Sequence, residues 1–153
     1  MSISRNCCSV GSKSPIRIRI TIDPADAKDH DDAVHAAPDD APDNEGGFVL
    51  TVAIADVAAY VKPGSALDQE AAKRGNSTYL VDRVIPMLPE ALSNELCSLK
   101  PNVDRLTKCV EFLVSNDGRV LSTKFHAAVI HSQRRFTYRE ALAVLQSPPG
   151  NDP

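Results

Sequence analysis

The densest chemistry in the sequence lies in Thr21-Ile22-Asp23-Pro24-Ala25-Asp26-Ala27-Lys28-Asp29-His30-Asp31-Asp32-Ala33, where five carboxylates fall within ten residues. Two carboxylates about 5 Å apart repel by about 3 kcal/mol at an effective dielectric of about 20. Several that converge must therefore take up protons, splay into water or share a cation. All-oxygen donors suit magnesium, manganese or calcium. A calcium-binding EF-hand fails, because counting from Asp29 the sixth residue is Val34 where glycine is needed and the twelfth is Asp40 where glutamate is needed. Magnesium is the better candidate, with manganese as its substitute. It takes one or two protein carboxylates and completes its shell with water and phosphate oxygens, which suits phosphoryl chemistry. The plainer alternative is an acidic loop facing solvent.

The surrounding charge sharpens this picture. Between Asp23 and Glu45 lie nine acidic residues and one lysine, whereas the rest of the chain holds sixteen basic and eleven acidic residues. An acidic island in a mildly basic chain is compatible with a phosphate polymer once cations mask the island. Arg134, Arg135, Lys100 and Arg105 are candidates for phosphate contacts, although solvated surface arginines are the commoner case. Ser/His/Asp triads, HExxH, Walker A and GxGxxG patterns are missing, which leaves other common hydrolase and nucleotide-binding readings without support.

The elements that must position these residues are legible from period and punctuation. Ile16, Ile18, Ile20 and Ile22 alternate with Arg17, Arg19 and Thr21, predicting a half-buried strand that runs straight into the acids. A short strand is expected over Asp32 to Ala36, a solvated loop over Ala37 to Gly47, and a buried strand over Phe48 to Ala55. Ser65 to Arg74 reads as a capped helix ending at Gly75. Prolines 86, 89 and 101 predict that Ile85 to Pro101 wraps rather than forms sheet, with a short helix near Ala91 to Ser98. Asn116-Asp117-Gly118 between Leu106–Ser115 and Arg119–Ile130 predicts a β-hairpin, and Thr137 followed by Glu140 opens a last helix. Strands and helices without strict alternation give an α+β class with a mixed, largely antiparallel sheet and a few short helices.

The order of the aspartates closely resembles the active-site signature of the RNB nuclease family, ribonucleases II and R: Asp stands at relative positions 0, 6, 8 and 9, that is Asp23, Asp29, Asp31 and Asp32. Further family motifs follow in order and spacing: Ile54-Ala55-Asp56-Val57, Tyr60-Val61, Pro63-Gly64-Ser65, Arg74-Gly75, Tyr79-Leu80, Ile85-Pro86-Met87-Leu88-Pro89-Glu90, Leu92-Ser93-Asn94, Leu96-Cys97-Ser98-Leu99 and Asp104-Arg105-Leu106. The resemblance implies the front part of an RNB catalytic domain, and hence a hydrolytic exoribonuclease that degrades single-stranded RNA from the 3′ end and releases nucleoside 5′-monophosphates. In that picture Asp23, Asp29, Asp31 and Asp32 hold magnesium, and loss of Asp31 harms the chemistry most. Two-metal logic gives the reason, one ion activating water and the other stabilising charge on the leaving oxygen. Tyr79 matches the family tyrosine that packs on the terminal base, and no organic cofactor is implied. Read without the family, Tyr79 is an ordinary strand aromatic, Asp26 a solvated neighbour, and Asp56 either a turn cap or an organiser of the site. His30 stands where the family usually carries an apolar or aromatic residue, which implies looser packing beside the cluster; magnesium's preference for oxygen argues against a ligand role.

These expectations divide the chain into a poorly defined segment 1–20, a partial RNB-type catalytic domain 21–146 and a Pro/Gly-rich tail 147–153. Family catalytic domains are several times longer than the match, so the chain is expected to be a fragment of such an enzyme, with a non-catalytic RNA- or metal-binding module as the alternative. No apolar run approaches the roughly 20 residues that span a bilayer, and the N-terminus lacks the apolar core of a secretory signal. The basic, acid-free stretch Met1 to Ile22 weakly resembles an organellar transit peptide, but an untidy start is preferred. Four cysteines without CxxC spacing fit a reduced, cytoplasmic setting, with Cys97 and Cys109 as small core residues.

Overall fold

A computed structural model describes residues 20–147. The predicted start of the first strand at Ile16, the flanking segment with Cys7 and Cys8, and the tail from Pro148 lie outside the described residues.

The structure is α+β, as expected. Among the described residues there are eight strands: β1 (Ile20–Asp23), β2 (Asp32–Pro38), β3 (Phe48–Ala55), β4 (Thr78–Tyr79), β5 (Val84–Ile85), β6 (Asp104–Val114), β7 (Val120–His131) and β8 (Arg134–Thr137). Two α-helices join them, α1 (Ala66–Arg74) and α2 (Tyr138–Gln146), with a π-helical turn at Ala91–Leu96. Six strands form one sheet in the order β7-β6-β3-β2-β1-β8, and β4 and β5 form a separate small hairpin. Every pairing in the large sheet is antiparallel except β1 with β8.

Local chemistry explains the boundaries. The Ser65 hydroxyl caps α1 by accepting the Asp68 amide, and Gly75 ends it at φ 75°. Thr137 and Glu140 form the anticipated capping box of α2. The β6–β7 turn closes through Gly118 at φ 84°, a conformation glycine adopts without a Cβ penalty.

One face of the sheet carries a row of small residues, Ala33, Ala53 and Cys109, in register across β2, β3 and β6. Their size lets the irregular chain after the prolines pack closely, so Cys97 and Leu99 complete a buried core with Ala55 and Ile130. The thiols are core residues, as expected. The burial of β3 needs correction: Ala53 and Ala55 are inside, but Ile54 is 46% exposed. Its opposite face is shared with other exposed apolar side chains, so the strand is buried on one face only. Two further corrections concern the irregular region and the sheet edge. Ile85 pairs with Thr78 rather than only wrapping, and Arg134–Thr137 adds an edge strand that the sequence pattern does not announce.

Candidate active site

The acidic loop spans the gap between β1 and β2, so both of its ends are fixed by neighbouring strands. Asp23 is the last residue of β1, flanked by β2 and β8, and is only 8% exposed. A turn closes at the start of the loop, where the Ala27 amide donates to the Pro24 carbonyl. Asp31 returns the chain to the sheet, its carbonyl accepting from the Ala55 amide at 2.9 Å.

Asp31 sits at the electrostatic centre. Burial, followed by the charges of Asp29, Asp32 and Asp23, pushes its carboxyl above the ordinary aspartate range, and His30 opposes this. Three of the four aspartates singled out from sequence therefore act on the fourth, Asp31. They do not form a closed cage: among the described residues, no three carboxylate, imidazole or thiol groups are gathered as a ready-made metal site. Like charges at short range oppose such convergence without counter-charge.

Asp23, Asp29 and Asp31 line a cleft of about 650 Å³ together with Asp26 and Lys28. The other wall comes from the β4–β5 hairpin and the turn that follows, through Tyr79, Arg83, Val84 and Pro86. Asp32 is outside this lining. Tyr79 is 68% exposed, and the Asp29 charge, followed by burial and the Asp31 charge, pushes its phenol above the ordinary tyrosine range. An aromatic face and an acidic wall thus share one opening.

The donor set suits a hard divalent cation. Carboxylate oxygens dominate it, and Asp23 Oδ2 is buried without a hydrogen-bond partner. His30 Nδ1 lies 3.0 Å from that oxygen but not in line for a hydrogen bond, so both atoms retain unused capacity. His30 is 5% exposed, with its amide and carbonyl both bonded to the chain at Ser98 and Leu99. Rather than a gap in packing, it is a buried neighbour of Asp23.

Basic residues behave differently from the sequence reading. Arg135 turns inward and donates to the carbonyls of Pro24 and Ala25, and Arg134 lies 4.2 Å over the Phe136 ring. Lys100 pairs with Glu95, while Arg105 holds the backbone carbonyls of Ser98 and Glu95. Asp56 makes no side-chain cap and pairs instead with Lys108 at 3.0 Å. Sequence spacing could not give Ser98 or Arg135 these roles, because their partners are far away along the chain; Ser98 stood out only within the Leu96-Cys97-Ser98-Leu99 motif and Arg135 only as a candidate phosphate contact.

With this arrangement in view, comparison with known proteins is decisive. Residues 17–152 match the RNB domain. The chain belongs to the RNB domain family. A ribonuclease R of Acidithiobacillus ferrooxidans is 59% identical over 126 residues, which is 82% of this chain and 28% of that relative. Among solved structures, Mycoplasma genitalium RNase R in complex with double-stranded RNA superposes with a TM-score of 0.78 at 40% identity, over 88% of this chain and 23% of that one. Yeast Ssd1, described as a pseudonuclease, superposes with a TM-score of 0.76 at 20% identity, over 90% of this chain and 16% of that one. The RNB fold is therefore common to a ribonuclease and a pseudonuclease, and activity must be sought in side chains. The chain spans about a quarter of the two ribonuclease R relatives' length. Among its described residues, no helix is long and apolar enough to cross a membrane.

Proposed function

We propose that the chain acts as a hydrolytic 3′-to-5′ exoribonuclease of the ribonuclease R type, using single-stranded RNA and releasing nucleoside 5′-monophosphates. The observation that carries this reading is the cleft that Asp31, its carboxyl raised by burial and by its three acidic neighbours, shares with the exposed ring of Tyr79. Ribonuclease R relatives at up to 59% identity support the chemistry.

Asp23, Asp29, Asp31 and Asp32 are the residues assigned to hold magnesium, or manganese in its place, and Asp31 is the catalytic group among them. When bound, the cation supplies an activated water and charge stabilisation at the scissile phosphate. The chain's own residues do the rest. The aspartates set the position of the phosphate relative to the loop, Asp31 must be ionised to serve, and the Tyr79 ring packs on the terminal base. The unit that does this is taken as residues 21–146, with 1–20 and 147–153 as flanking segments. A cytoplasmic setting, in which thiols such as Cys97 and Cys109 stay reduced, completes the assignment. No organic cofactor or membrane is assigned.

The test is magnesium-dependent release of nucleoside monophosphates from a 3′-tailed single-stranded RNA by the purified chain, beside Asp31→Asn. Release that disappears with EDTA and in the variant is the expected result. A folded chain that binds magnesium and RNA yet releases nothing contradicts the hydrolase assignment in favour of a binding module.

A further inference from the structure

Carboxylates that repel one another tend to open the loop that carries them, so something must hold its backbone. Two side chains from distant parts of the sequence do so. Ser98 is fully buried, and its hydroxyl accepts from the His30 amide at 3.0 Å while donating to the Lys28 carbonyl at 3.0 Å. One side chain thereby bridges the peptide groups on either side of Asp29. The next amide, of Leu99, donates to the His30 carbonyl at 2.8 Å. Ser98 is itself anchored, since its carbonyl accepts from Arg105 Nε at 2.9 Å.

The other end of the loop is held by Arg135. The parallel pairing of β8 with β1 sets Arg135 beside Thr21, and from there its guanidinium reaches the carbonyls of Pro24 and Ala25, the latter at 2.9 Å. These bonds have a charged donor and are stronger than neutral ones. They also place a fixed positive charge next to the acidic island. The two clamps bracket the segment that presents Asp26 and Asp29, and they lie just beyond Asp23 and just before Asp31.

We propose that Ser98 and Arg135 are positioning residues, which preorganise the loop so that Asp23, Asp29 and Asp31 can share one cation. The proposal rests on the metal reading above. Neither residue touches the cation or the substrate; each acts by reducing the rearrangement that cation binding demands. Outer-shell partners of this kind typically change metal affinity by about 10- to 100-fold.

The experiment titrates Mn2+ into the 153-residue chain and follows free Mn2+ by electron paramagnetic resonance, for the unaltered protein, Ser98→Ala, Arg135→Met and Asn44→Ala. Asn44 is a matched control, because it is buried and loses bonds to Val114 and Asp39 at the far end of the sheet. Amide exchange at His30 reports the Ser98 clamp without any metal. The expected result is Mn2+ affinity about tenfold weaker in Ser98→Ala and Arg135→Met, unchanged in Asn44→Ala at a similar loss of Tm, with faster His30 exchange in Ser98→Ala. Unaltered affinity in both clamp variants, or affinity that tracks Tm in all three, overturns the positioning role alone. Failure of the unaltered chain to bind Mn2+ overturns the metal reading and this proposal with it.

Discussion

Tyr79 and Asp29 line the same cleft, and the Asp29 charge, ahead of burial and the Asp31 charge, pushes the Tyr79 phenol above its ordinary range while most of the ring stays open to solvent. The phenol thus feels the acidic wall, and the exposed aromatic face is left for a base. Stacking on a nucleobase is worth about 1 to 3 kcal/mol, so Tyr79→Ala is expected to weaken binding of a single-stranded RNA by roughly 5- to 150-fold. Tyr79→Phe keeps the ring and should stay within a few-fold of the unaltered chain. Fluorescence anisotropy with a labelled oligonucleotide separates the two; equal losses in both variants would assign the effect to the hydroxyl instead.

Asp31 carries the electrostatic cost of the cluster. Neutralising it by Asp31→Asn removes repulsion with Asp29, Asp32 and Asp23, and is expected to raise metal-free stability by roughly 0.5–1 kcal/mol, given partial solvent screening. Magnesium should raise the Tm of the unaltered chain and barely affect the variant, because cation binding and folding are linked. Calorimetry with and without EDTA checks both halves. A variant less stable than the parent without metal would contradict the repulsion account.

Leu99 is the keystone beneath the loop: it is fully buried against Ala33, Ala53 and Ile130 while its amide supports His30. Leu99→Ala should cost about 2–5 kcal/mol, as large-to-small changes in packed cores do. Urea denaturation measures it, and a loss under about 1 kcal/mol would mean that this core is loosely packed.

Glu140 gives the chain an acid-sensitive joint. Bonds from the Thr137 amide, at 2.7 Å, and hydroxyl hold its carboxyl below the ordinary glutamate range. A depressed folded-state value means that the contribution is complete above the unfolded value and fades as pH falls through the folded one. Glu140→Ala should therefore lower the unfolding midpoint at about pH 7, and its gap to the parent should narrow as the pH falls through the range in which the Glu140 carboxyl takes up its proton. A gap that stays constant with pH would contradict the assignment.

What was legible in the sequence followed from short-range rules. Alternating Ile20 and Ile22 announced the strand that delivers Asp23, Asn116-Asp117-Gly118 announced the long hairpin, and Ser65 and Thr137 marked helix starts. The cleft could not be read the same way. Its second wall is a hairpin of two-residue strands, too short for any periodicity, and Arg134–Thr137 is a strand only because β1 offers it an edge. Ser98 reaches His30 across 68 residues, and Arg135 reaches Pro24 across 111. Contacts at such separations are set by topology, so these two residues looked like a motif remnant and a surface charge. The burial of His30 is equally invisible in the sequence, because it depends on the chain around Ser98 closing over it.

The most direct test of the aspartates' role transplants residues 21–146 into the corresponding region of the Acidithiobacillus ribonuclease R, whose remaining length supplies what surrounds the match. Magnesium-dependent release of nucleoside monophosphates from single-stranded RNA is then compared between this chimera and its Asp31→Asn form. The account predicts an active chimera and a variant at least about 100-fold slower, as expected when a preorganised electrostatic group is removed from an active site. A variant as fast as its parent, or a folded chimera without activity, would contradict the catalytic role assigned to this carboxylate cluster.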